Sequence, residues 1–130
     1  MASLFSKIVT GEIPSYKIAE DENYYAFLDI NPLARGHALV VPKKEVDYIF
    51  DVDDDLLGGM MIFAKKVARA IDEVIECKRV GIAVIGLEVP HAHIHLIPIN
   101  HISDIDFSRP KLKFTGDEFH DIARQIKSAL

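Results

Sequence analysis

A chain of 130 residues, 49% apolar and 27% charged, has the size and composition of one globular domain with its own core. Fifteen basic residues against twenty acidic ones leave a net charge of −5, which excludes the broad basic face that a long nucleic acid requires but not a small anionic ligand. The single cysteine, Cys77, excludes an intrachain disulfide and a multi-cysteine zinc site. The opening residues lack a signal peptide's apolar stretch and no run approaches the ~18 apolar residues of a membrane span, so a cytoplasmic protein without a membrane partner is expected.

In chain order, Ser3 suits the cap of a short helix reaching Val9, with Leu4, Phe5 and Ile8 on its apolar side. Gly11 and Pro14 end it. Ser15–Glu20 and Tyr24–Asp29 read as two strands joined by a hairpin turn at Asp21-Glu22-Asn23. Asn31-Pro32 and Arg35-Gly36 punctuate a loop before a third strand, His37–Val41, which Pro42 stops. Asp53-Asp54-Asp55 favours a helix start, and apolar residues at helical spacing continue to about Glu76. Gly58-Gly59 implies either a late start for that helix or a close neighbour at the glycines. Val80–Ile85 and Ala92–Ile97 complete the strands. Ile99–Leu112 reads as loop, and Thr115 to Glu118 as a capping box opening a last helix. Five strands and two to three helices in this order predict a single α+β domain, residues 1–130, with an antiparallel sheet.

The chemistry concentrates in His91-Ala92-His93-Ile94-His95, which holds three of the chain's six histidines. In an extended strand these rings project to one face, roughly 6–7 Å apart. Three groups that titrate near neutrality, held on a rigid strand, suit nucleophilic attack at phosphorus, with flanking imidazoles steadying the charge on the phosphate oxygens. The same spacing permits zinc ligation, for which Glu88 is the nearby carboxylate in sequence. A third reading is a set of satisfied polar residues on a half-exposed strand. His37, after Gly36 on another predicted strand, reads by itself as structural.

Taken together, Leu4-Phe5-Ser6-Lys7-Ile8-Val9, Ala26-Phe27-Leu28-Asp29-Ile30-Asn31-Pro32, Gly36-His37 through Pro42-Lys43-Lys44, and the triplet resemble the histidine triad (HIT) superfamily of nucleotide hydrolases and transferases, in particular its Hint branch. The resemblance runs from Leu4 to about Ile97. It implies a five-stranded antiparallel sheet that continues as a ten-stranded sheet across a homodimer. It implies a nucleotide phosphoramidase or nucleotidyl hydrolase with a small-molecule nucleotide partner, no cofactor, and a covalent nucleotidyl intermediate on His93. His95 would contact the phosphate or leaving group, and His91 and His37 would fix ring orientation. Asp29 would hold the ribose hydroxyls, although a turn-capping aspartate fits the same sequence. Phe5, Ile8, Phe27, Leu28 and Ile30 would enclose the base, although some of them suit ordinary core. A dinucleoside-polyphosphate hydrolase of the same superfamily, or a nucleotide-binding sensor with little turnover, is compatible with the same residues.

Two departures from the Hint pattern stand out. Gly86 keeps its place, but Leu87 and Glu88 stand where a glutamine and a serine are usual. Glu88 is expected either to have a raised pKa and protonate the leaving group, or to turn away and pair with a lysine or arginine. Ser6 and Glu45 occupy places where some bacterial relatives carry zinc ligands, so no such metal site is expected. His101 and His120 read as surface residues, whereas Arg109 and Lys111 have the reach to approach a site.

Overall fold

In a computed structural model that describes residues 2–130, Ser3 accepts the Ser6 N–H and opens α1 (Leu4–Val9). Strands β1 (Lys17–Glu20) and β2 (Tyr24–Leu28) form a hairpin. Its turn is held by Asp21, whose carboxylate accepts the N–H groups of Asn23 and Tyr24 at 2.9 and 2.8 Å. β3 (Ala38–Pro42), α2 (Asp54–Val74), β4 (Arg79–Ala83), β5 (Ile94–Ile99) and α3 (Gly116–Ser128) follow. The five strands form one antiparallel sheet in the order β1-β2-β3-β5-β4. The α+β class with a five-stranded antiparallel sheet and three helices is therefore the observed fold.

Strand alternation divides the apolar residues between two faces. Ala26, Leu28, Val40, Ile94 and Leu96 lie under α2 and α3 in the main core. α2 reaches them with Met60, Phe63, Ala64, Val67 and Ile71, and α3 with Phe119, Ile122 and Ile126, all at helical spacing. Tyr25, Phe27, Leu39 and Val41 point to the opposite face, where Phe5 and Ile8 of α1 complete a smaller cluster, with Val9, Ile13 and Val89 partly buried against it. No helix among the described residues is long and apolar enough to cross a membrane.

Several boundaries move. β1 starts at Lys17 rather than Ser15, and β4 ends at Ala83 rather than Ile85 because its pairing with β5 stops at His95. α2 stops at Val74, short of Glu76. The expected loop from Ile99 to Leu112 contains the end of β5 and a short 3-10 turn at Ile102–Ile105, whose start is held by the Asp104 carboxylate. The largest shift concerns the strand expected to begin at Ala92. The His91 and Ala92 N–H groups bond to the carbonyls of Val89 and Val46 instead of a sheet ladder, so regular strand begins only at Ile94.

The glycine pair resolves into one close approach. The helix begins before it, and a Cβ on Gly59 would lie 2.1 Å from the Tyr24 hydroxyl, whereas one on Gly58 would meet nothing. Tyr24 also donates to the Leu56 carbonyl at 2.8 Å, which fixes the ring against the helix. In urea melts, Gly59→Ala is expected to cost about 1–3 kcal/mol through overpacking. Gly58→Ala is expected to gain roughly 0.5–1 kcal/mol through backbone entropy and helix propensity.

Candidate active site

Among the described residues the buried polar side chains are Ser3, His37, His91, His93 and His95, all in one neighbourhood. A buried imidazole is costly unless its nitrogens find partners, and those partners assign the tautomers. His93 places Nδ1 2.7 Å from the His91 carbonyl, which can only accept, so the proton sits on Nδ1 and Nε2 carries a lone pair. No fully buried side-chain nitrogen or oxygen lacks a partner among the described residues. Nε2 of His93 has no partner in that set, so this atom is open to solvent although the residue as a whole is only 6% exposed.

His37 works in the opposite sense. Its Nδ1 accepts the Leu33 N–H at 3.0 Å, so Nε2 carries the proton and donates it to His95 Nδ1 at 3.0 Å. That leaves the proton of neutral His95 on Nε2. The His93 and His95 rings meet edge to face, with centroids 4.9 Å apart. A free lone pair on one ring therefore lies beside an N–H donor on the next.

Burial keeps these rings neutral. It lowers the pKa of His37 to about 3, aided by the charges of His95 and Lys111, and that of His95 to about 4, aided by His93. His93 is also lowered, chiefly by burial, against the opposing pull of the His91 carbonyl and the Glu88 charge. The approaches of Asp29 Oδ2 to His37 at 3.5 Å and His95 at 4.0 Å are thus contacts with neutral rings rather than ion pairs.

The His93 and His95 rings pack together, and the fully buried His91 shares the Phe5 ring with His93. The His91 Nε2–H donates to the Pro42 carbonyl at 2.8 Å and its Nδ1 lies 2.7 Å from Ser3 Oγ. The backbone from Val89 to Ala92 is not regular strand, so these bonds rather than strand alternation set the His91 ring.

The surrounding residues divide similarly. Phe5 sets its ring edge-on to His93 at 4.9 Å, and Phe27 packs on Phe5 at 5.5 Å, with Ile8 in the same cluster. Leu28 does not join them, since alternation turns it into the core under the helices. Ile30 lies beyond the end of β2 and is exposed. Asp29 does cap the turn, accepting the Asn31 N–H at 2.8 Å, and burial followed by the Glu88 charge raises its pKa. Gly86 adopts φ +75°, a backbone requirement, and a Cβ there would meet nothing. Glu88 is exposed and, among the described residues, forms neither the expected ion pair nor a hydrogen bond. Its charge instead partly offsets the lowering of the His93 pKa by burial and adds to the raising of the Asp29 pKa by burial. Arg109 pairs with Asp104 at 3.1 Å, while His101 and His120 are exposed.

One contributor carried no local signal. Phe107 packs edge-on against His95 at 4.8 Å and reaches His37 at 6.2 Å, yet it is a lone aromatic in an unpatterned segment. Lys111, whose reach the sequence suggests, holds that segment through the carbonyls of Phe107 and Arg109, and its charge acts on Asp29 and His37. The segment is tied down where the Leu112 N–H donates to the Pro32 carbonyl at 2.8 Å.

Asp29, His37 and His95 bring three potential metal-ligating atoms within 4.8 Å of one another. The set fits a metal poorly. The Leu33 N–H already uses the Nδ1 lone pair of His37, so the nitrogen aimed into the cluster is the protonated one.

Comparison with known proteins places this geometry in context. The HIT domain profile matches residues 10–102. The adenosine 5'-monophosphoramidase of Saccharomyces cerevisiae is 42% identical over 99 residues, which cover 75% of this chain and 62% of that protein. The Schizosaccharomyces pombe adenosine 5'-monophosphoramidase is 32% identical over 132 residues, covering 100% of this chain and 99% of its own. The crystal structure of a HIT-like protein from Bartonella henselae superposes with a TM-score of 0.86 at 28% identity, over 98% of this chain and 96% of that one. The family match across most of the sequence, joined to the paired buried imidazoles, makes this chain a member of the histidine triad family.

Proposed function

We propose that this protein is a phosphoramidase-like nucleotide hydrolase that works through a covalent intermediate on His93. The observation that supports it most is the solvent-open Nε2 lone pair of His93 beside the N–H donor of His95. Attack of that lone pair on the α-phosphorus of a nucleoside phosphoramidate forms a P–N bond to the ring and breaks the bond to the leaving amine, which departs with its electron pair and takes up a proton. The ring becomes cationic, and the His91 carbonyl, accepting Nδ1–H, steadies that charge. Water then attacks phosphorus, the P–N bond to the ring breaks, the lone pair returns to Nε2, and a nucleoside monophosphate leaves.

In this reading His95 donates Nε2–H to a phosphate oxygen or the leaving group, and His37 keeps it in the donor tautomer. Asp29, with Oδ1 engaged by Asn31, offers Oδ2 to ribose hydroxyls. Phe5, Ile8, Phe27 and Ile30 flank the base, and Gly86 shapes the loop that carries Glu88. The exposed Glu88 carboxylate tunes His93 electrostatically and faces the departing group. The names of the two yeast relatives favour an adenosine 5'-monophosphoramidate as the type of substrate.

A homodimer belongs to the same proposal. β4 is an edge strand with one unpaired side. Ile82, opposite Leu96 and on the α2-bearing face, is nevertheless 49% exposed, and Val84, Ile85 and Leu87 continue the apolar strip. An uncovered apolar edge of this kind favours strand addition. Light scattering after gel filtration is expected to give a dimer that Ile82→Lys dissociates; a monomeric parent protein would remove this part.

Activity provides the main test. Incubated with adenosine and guanosine phosphoramidates and with dinucleotides, the protein is expected to release monophosphate from a phosphoramidate most rapidly, with or without EDTA. Mass spectrometry of the quenched reaction is expected to find a nucleotidyl adduct. His93→Ala is expected to abolish the adduct and lower kcat by a factor on the order of 10⁴. Preference for dinucleotides would favour the polyphosphate reading, and tight binding without turnover would favour a sensor.

The pH profile follows from the sign of the shift. Neutral His93 is the reactive form, and burial holds its pKa below the ordinary 6.5. The acid limb of kcat/KM is therefore expected below pH 6.5, with no loss from pH 7 upward through this group. Glu88 raises that pKa, so Glu88→Gln is expected to move the limb to still lower pH. An unmoved limb and an unchanged substrate ranking would remove Glu88 from the account.

A further inference from the structure

The pocket that receives His91 contains more polar chemistry than a buried support ring requires. Ser3 Oγ accepts the Ser6 N–H at 3.0 Å as the cap of α1 and lies 2.7 Å from His91 Nδ1. Pro42's carbonyl takes the His91 Nε2 proton, so with one proton on the ring Nδ1 is an acceptor and the Ser3 hydroxyl donates to it. Ser6 Oγ also approaches His91 Nδ1, at 3.5 Å, but its proton is directed to Glu45 Oε1 at 2.7 Å. The same carboxylate oxygen accepts the Ser3 N–H at 2.5 Å. Glu45 thereby engages both serines that approach the histidine, and it holds the cap residue from behind.

The consequence reaches His93. The carbonyl that fixes the His93 proton on Nδ1 is that of His91, whose ring is clamped between Pro42 and Ser3. Phe5, two residues after Ser3 on the same helix start, sets its ring edge-on to both His91 at 5.9 Å and His93 at 4.9 Å. We propose that Ser3 and Glu45 are positioning residues for the reaction: they hold the His91 ring, and through its carbonyl they keep the Nε2 lone pair of His93 free and aimed. This rests on His93 being the nucleophile. Neither residue touches substrate. Burying Ser3 while leaving Glu45 exposed suits a clasp closed from the surface. The carboxylate is held well below its usual range, to about 2, first by the Ser3 N–H and then by the Ser6 hydroxyl, so the clasp stays ionised across the working range.

The test combines kinetics with long-range ¹⁵N–¹H spectra of the histidine rings in the full chain. In the parent protein His93 is expected to show a single tautomer with unprotonated Nε2. Ser3→Ala is expected to mix the His93 tautomers and lower kcat about tenfold with KM little changed, and Ser3→Thr, which keeps the hydroxyl, is expected to restore both. Glu45→Ala, an exposed change that leaves the core intact, is expected to act in the same direction but less, because the freed Ser6 hydroxyl then competes for His91. A parent-like His93 spectrum and kcat in both Ser3→Ala and Glu45→Ala, with only the melting temperature lowered, would reduce the clasp to a docking contact for α1 and overturn the proposal. Full turnover by His93→Ala would instead sink the nucleophile assignment, and the ring spectra would still report whether Ser3 and Glu45 set the tautomer.

Discussion

Burying four imidazoles is the constraint on which the rest of the site depends. Burial favours the neutral form of His37, His93 and His95, and each fully buried nitrogen must meet a partner of the right kind. Backbone groups begin every chain of assignments. The Leu33 N–H sets His37, which sets His95; the carbonyl of Pro42 sets His91, and the carbonyl of His91 sets His93. Main-chain donors and acceptors cannot exchange roles, so the tautomers are as rigid as the fold itself. The result is a pair of adjacent rings with opposite polarity toward solvent, one offering a lone pair and the other a proton.

The sheet makes that arrangement possible by treating its faces unequally. One face is sealed by α2 and α3, where burying each large aliphatic side chain contributes roughly 1.5–3 kcal/mol. The other is covered by the short α1, by Ile13 and Val89, and by the segment carrying Phe107, which leaves room for polar residues against a rigid backing. Register does the rest. Leu39 pairs with His95, so His37 on the same face of the chain leading into β3 comes within hydrogen-bonding distance of it. Residues 58 apart in sequence thus share a proton without any flexible element between them.

Legibility in the sequence followed the reach of the interactions involved. The capping of α1 by Ser3, the box at Thr115 and Glu118, and the heptad-like spacing of α2 are local, and each appears as expected. The core strands also read correctly in identity and order, because alternation over five residues is a local signal too. Errors occurred where a distant partner overrode local pattern. Leu28, which the resemblance offers to the base clamp and the sequence equally to ordinary core, is core, because the helices packed on its face of the sheet cover it. Of the two expectations for Glu88, an acid for the leaving group or a partner for a lysine or arginine, the ion pair is absent among the described residues and the carboxylate is exposed.

The sequence by itself determined the element order, the segregation of apolar faces and the concentration of histidines that marks the site, because periodicity, capping and composition act within a few residues. Tertiary structure alone decided which partners take up the His91 nitrogens and on which nitrogen each ring holds its proton. It also brought Ser3, Glu45 and Phe107 to the histidines from 88, 46 and 12 positions away from His91 or His95. The reason is physical: a tautomer is set by whichever group the folded backbone brings to within about 3 Å, and no local pattern encodes that distance.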